Sequence, residues 1–162
     1  MTDNAHLVLD RFRVDAANFI QTVNSVAAIE RDAFLIRVSH CLAQLYRSAL
    51  DLPTVEPDTT GTDETPFATE EWVNLSNSLR SKIGPVDAYW GVFDSTKNES
   101  PVQGTLAGDI AEIYFDLKRD LRLEEKGISQ ADFLWELRFS FRSHWGKHLL
   151  GALVAIHDRH VE

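Results

Sequence analysis

The residues with the clearest capacity for chemistry are two histidines in the run His144-Trp145-Gly146-Lys147-His148. Side chains four apart on a helix share one face, about one turn from each other. An imidazole pair so spaced suits two ligands of a single ion, because neutral ring nitrogen binds zinc, iron, nickel or copper. Counting ~100° per residue puts both near the centre of the apolar stripe of Leu137, Phe141 and Ala152, so they are expected to point into the fold. A metal site needs further donors from other helices, and Asp15, Asp109 and Asp116 are the candidates. One of these would be a ligand, or the general base of a metal-dependent hydrolase. The same residues fit a plainer role, in which each histidine is a core residue bonded to a carboxylate or carbonyl. Gly146 and Gly151 would then let neighbouring helices come close. Both roles stay open.

A second constellation lies on the stretch Thr105 to Glu125, where Asp109, Asp116 and Asp120 line one shoulder of an apolar face and Glu112 sits further round. Carboxylates so spaced can hold Mg²⁺ beside a phosphate substrate. That use needs acidic pairs on two helices, and only Asp109-x-x-Glu112 comes close here. A solvated shoulder paired with Lys118, Arg119 or Arg122 is the simpler expectation. There is no Gly-rich phosphate loop, no G-x-S-x-G, no H-E-x-x-H and no C-x-x-C. None of the six histidines has a glutamate three residues before it, as a di-iron bundle would require. No residue is assigned a catalytic role.

The third candidate is a surface. Tyr89, Trp90 and Phe93 crowd one segment, while Trp135 and Phe139 project away from the apolar stripe of their helix. Aromatic area beyond what one face can bury means either a helix covered on several sides or an interface.

These residues need elements to hold them, and the apolar spacing is helical almost throughout. Ala5, Val8, Phe12, Ala16, Phe19, Val23 and Val26 mark a first helix, and Phe34, Val38, Cys41, Leu42, Leu45 and Ala49 a second that Pro53 ends. Residues 52–68 combine Pro, Thr and acidic residues without Lys or Arg, which predicts a mobile surface loop. A third helix runs from Thr69 to Ile83 and stops at Gly84-Pro85; Val86 to Gly104 reads as an irregular loop or a short helical turn. Thr105 caps a fourth helix that Gly127 stops, and Ser129 caps a long fifth running to about His157. The expected fold is all-α: one domain over residues 1–162, an antiparallel bundle of four to five main helices.

Composition narrows the setting. A net charge of −9 disfavours nucleic acid and anionic membrane surfaces. The single Cys41 permits no intramolecular disulfide and fits a reducing compartment. The N-terminus lacks a signal-peptide pattern and no apolar run approaches the ~20 residues of a membrane span, so a cytoplasmic setting is expected.

Three segments together resemble a bacterial family known as domain of unknown function 5063. They are Tyr89-Trp90-Gly91-Val92-Phe93-Asp94, the run Thr105 to Lys118, and Leu134-Trp135-Glu136 leading to His144 through His148. The resemblance implies a bacterial, cytoplasmic, all-helical protein and brings no activity with it. Two functional expectations follow from the residues. One is a helical-bundle protein acting through protein partners or its own copies, with no cofactor. The other binds a divalent metal through the histidine pair.

Overall fold

Helical periodicity becomes six α-helices among the described residues of the computed structural model, which describes residues 3–59, 69–92 and 96–159, with side chains from residue 6 onward. Helices α1 (Asp3–Asn24) and α2 (Arg31–Asp51) are joined by a short 3₁₀ turn and pack along each other. Their contact buries Leu9, Phe12, Phe19, Phe34, Leu42 and Leu45 completely. Helix α3 (Thr69–Ile83) follows and ends at Gly84, whose φ of 67° is a backbone region glycine enters without strain. Next come two short strands, β1 (Ala88–Gly91) and β2 (Val102–Thr105), and then α4 (Leu106–Glu125). The chain closes with α5 (Gln130–Ser140), a π-helical turn (Phe141–Trp145) and α6 (Gly146–His157), one continuous rod.

Helix α4 is the hub, packed against α1, α3, α5 and α6. Arg13 bonds Glu124 and the Tyr114 hydroxyl bonds Asn24, so α1 runs antiparallel to it. Its N-terminus is closed twice. The Thr105 hydroxyl accepts the Gly108 amide at 3.2 Å, and Asp87 accepts the Ala107 amide at 2.8 Å. The second bond fastens the strand pair to the start of α4. Gly127 (φ 76°) stops the helix, and the Ser129 hydroxyl caps α5 through the Asp132 amide.

The all-α bundle is therefore present, with two departures from expectation. Residues 88–91 and 102–105 form an antiparallel ribbon, with Tyr89 opposite Gly104 and Trp90 opposite Gln103, where a loop or helical turn was expected. Strands of four residues are too short to show a period of two. The fifth helix carries a π turn, one residue more per turn than its apolar spacing implies. At the start of the acidic loop Thr59 bonds Asp132 through its amide (2.9 Å) and hydroxyl (3.1 Å), and Arg138 donates to the Leu52 carbonyl. Residues 60–68 of that loop lie outside the described residues. No helix among the described residues is long and apolar enough to cross a membrane.

Candidate functional site

Because α5 and α6 run antiparallel to α4, residues ascending one rod meet residues descending the other. Asp120 meets Ser140, Asp116 meets His144, and Asp109 meets His148. The result is a polar seam on a helix pair otherwise joined by apolar contacts. His144 Nδ1 lies 2.5 Å from Asp116 Oδ2, and His148 Nδ1 lies 2.8 Å from Asp109 Oδ1. An ionised carboxylate can only accept, so each Nδ1 carries a proton, and in the neutral ring it is Nε2 that keeps the lone pair. The rings stand edge to face, 4.8 Å between centroids and 71° apart.

The remaining carboxylate oxygens are also occupied. Asp109 Oδ2 accepts from the Tyr89 hydroxyl at 2.5 Å, and Asp116 Oδ1 accepts from Arg119 at 2.8 Å. Arg119 also reaches Asp120 at 3.0 Å. Asp120 takes the Ser140 hydroxyl, and that oxygen accepts Trp145 Nε1 at 3.0 Å. Tyr89 gets into the seam through glycines. A Cβ on Gly151 would lie 2.5 Å from its hydroxyl, and one on Gly104 would lie 2.9 Å from its ring. Only glycine at both positions leaves room for the phenol.

The histidines do not sit where helical counting put them. His144 keeps 47% of its side chain exposed and His148 31%, so they form the outer wall of the seam and are not core residues. The π turn is the cause. It spends one extra residue per turn, so everything beyond Phe141 lags about 100° behind an uninterrupted helix. Trp145 and Leu149 thereby take the buried positions, and the histidines move to the shoulder.

Electrostatics follow from this packing. The hydrogen bond His148 donates to Asp109 raises its pKa above the ordinary imidazole value despite partial burial, helped by the charges of Asp109, Glu112 and Asp116. Burial first, then the bond to Asp109, pushes the Tyr89 phenol far above its usual range, so it stays a donor. Desolvation lifts Asp120 from 3.8 to about 6, against the opposing pull of Arg119 and Ser140. A folded-state pKa above the unfolded one means the native protein takes up a proton first, so this group costs stability above about pH 6 and the cost fades towards pH 4. Urea unfolding of Asp120→Asn should therefore show a flatter fall in stability from acidic to neutral pH than the parent. Parallel slopes would show that Asp120 titrates normally.

Of the metal-ligand candidates, Asp109, Asp116, His144 and His148 meet in the seam. Asp15 does not join them by any hydrogen bond among the described residues; it is buried on α1 with Arg11 3.8 Å away, and its Oδ2 has no hydrogen-bond partner. Among the described residues, no group of three or more His, Cys, Asp or Glu side chains is arranged to hold a metal ion. The aromatic candidates separate as well. Tyr89 turns inward to Asp109, while Trp90 on the other side of the ribbon is 70% exposed. Trp135 and Phe139 stack in parallel at 5.1 Å, with Phe139 54% exposed. Phe93 lies outside the described residues. Helical counting gave no role to Ser140, although it stands four residues before His144 on the same rod.

A family model described as domain of unknown function DUF5063 matches residues 4–162, nearly the whole chain. The chain belongs to that family. A crystal structure of protein BF1032 from Bacteroides fragilis resembles this DUF5063 chain with a TM-score of 0.79 at 24% identity, covering 94% of this chain and 92% of that one. At that identity the likeness speaks for the fold alone. A comparison with curated proteins finds no match.

Proposed function

We propose that this chain binds a divalent transition-metal ion through Nε2 of His144 and His148. The observation that carries the reading is that both imidazoles are held at Nδ1 by carboxylates, Asp116 and Asp109. A carboxylate behind a histidine fixes the tautomer that presents Nε2, orients the ring and makes that nitrogen a better ligand. Two such imidazoles one helical turn apart, both reached by solvent, favour nitrogen-preferring ions such as zinc, nickel or copper over magnesium or calcium. The setting we take with it is a bacterial cytoplasm, where the single thiol of Cys41 stays reduced.

Calorimetric titration with Zn²⁺ and Ni²⁺ tests this. His148→Ala should abolish saturable binding while leaving the circular dichroism spectrum unchanged. Asp109→Asn, which removes the charge behind His148, should weaken affinity by roughly 10–100-fold. Binding that survives His148→Ala unaltered would remove the site from these residues.

A second reading, docking to a protein partner, has its own observation. Trp90 is 70% exposed and Phe139 54%, and aromatic side chains dominate the energetics of interfaces. It predicts that Trp90→Ala and Phe139→Ala change association behaviour; a monodisperse monomer indifferent to both would count against it.

A further inference from the structure

We propose that the outer groove between α1 and α2 docks an acidic peptide segment of a partner protein. This surface shares no residue with the histidine seam or with the exposed aromatics, so it stands apart from both readings above. The two helices run side by side in opposite directions, with the Thr22 hydroxyl 3.5 Å from the Cys41 thiol. Arg37, His40 and Gln44 line the groove from α2, and Arg47 continues the same stripe, the four spaced three, four and three residues apart. Asn18 and Gln21 face them from α1. Among the described residues, no Asp, Glu, Phe, Tyr or Trp lines the groove.

The charge pattern says what the groove accepts. Asp and Glu outnumber Lys and Arg by 25 to 16, and Arg11, Arg13, Arg31, Arg80 and Arg119 each hold a carboxylate. Arg37 and Arg47 are exposed and make no ion pair or hydrogen bond among the described residues, and neither does His40. In a chain so rich in acid, two unpaired guanidiniums on one stripe leave a local positive surface for a carboxylate from outside. Ten residues separate them, about 15 Å along the helix axis, which about five residues of extended peptide span. The side-chain amides of Asn18, Gln21 and Gln44 both donate and accept, as the backbone of a docked peptide requires, whereas a phosphate backbone only accepts. Single-stranded nucleic acid also needs aromatic faces for its bases, and a long polyanion would have to cross the remainder of a surface of net charge −9. A peptide can present two carboxylates to the arginines and leave that remainder alone.

The test is fluorescence anisotropy of the full chain at low salt with a labelled ten-residue Glu-Ser repeat, beside a Gln-Ser repeat and a ten-nucleotide oligothymidylate. The Glu-Ser peptide should bind saturably and the Gln-Ser peptide should not, and added salt should weaken the binding. Arg37→Ala and Arg47→Ala should each cost roughly fivefold in affinity, the upper end for an exposed ion pair. The double variant Arg37→Glu, Arg47→Glu should show no saturable binding at an unchanged thermal midpoint, since both side chains are exposed. Trp90→Ala should bind as the parent does. A parent that ignores the Glu-Ser peptide, or binding indifferent to both arginines, would overturn the proposal. Tighter binding of the oligothymidylate would give the groove to nucleic acid instead. A light-scattering mass that doubles without peptide, and returns to one chain in the double variant, would give it to a second copy.

Discussion

Trp145→Ala should lower the thermal midpoint by roughly 10 °C, the largest stability loss expected from any single truncation in the seam. Trp145 is fully buried at the point where the π turn passes into α6. Its ring lies 4.7 Å from Phe141 and 6.4 Å from Phe12, so it joins the rod to α1 as well as to its own preceding turn. Truncating a buried tryptophan typically costs about 3–5 kcal/mol in lost transfer energy and residual cavity. Here a hydrogen bond goes too, because Nε1 donates to the Ser140 oxygen that itself serves Asp120. Trp145→Phe separates the two contributions. It keeps most of the apolar volume, so its loss should fall between wild type and alanine, near the ~1 kcal/mol net value of a neutral hydrogen bond. Scanning calorimetry at neutral pH measures both variants. If alanine costs no more than phenylalanine, the cavity has collapsed and Trp145 is not the pin described here.

How far such a residue could be recognised from sequence depends on what its pattern retains. The helices were legible because apolar residues recur every three or four positions, and their ends because Thr105, Ser129, Gly84 and Gly127 each satisfy or release backbone groups in a defined way. The π turn was hidden by that same rule. Phe141, Trp145 and Leu149 are four apart whether the turn between them is α or π, so the stripe looks continuous while its phase slips. That slip moves His144 and His148 from the core to the wall of the seam. The histidine and aspartate types were visible, but their pairing was not. His144 and His148 are four residues apart, whereas Asp116 and Asp109 are seven apart, and only the antiparallel meeting of α4 with α6 matches one turn against two. Tyr89 was legible as an aromatic of interest and was assigned to a surface. Its true direction depends on Gly104 and Gly151, residues distant in sequence that offer space and no signal of their own.

Gly146→Ala should show whether the π turn positions the histidines. The Gly146 amide donates to the Phe141 carbonyl, the five-residue bond that makes the turn wide. A Cβ at position 146 would collide with that same carbonyl oxygen and lie 2.9 Å from the Phe141 ring. Backbone cannot step aside as a flexible side chain can, so the turn must either carry the strain or be rebuilt. Overpacking of this kind typically costs about 1–3 kcal/mol. Rebuilding it as ordinary α-helix would turn α6 by about 100° relative to α5, pulling Leu149 from the core and parting His144 and His148 from Asp116 and Asp109. Either route disturbs the imidazoles, and their Nδ1 protons report it directly, because a ring N–H held by a carboxylate exchanges slowly enough to give its own proton resonance. Both signals should be present in the parent protein and weakened or lost in Gly146→Ala, together with the drop in stability. Gly151→Ala is the matched control: its Cβ meets the Tyr89 hydroxyl at 2.5 Å and leaves the π turn alone, so it should disturb the His148 proton, through Asp109, more than that of His144. Unchanged stability with both resonances intact in Gly146→Ala would mean that the wide turn is indifferent to its glycine and that packing around Trp145 alone sets where the histidines stand.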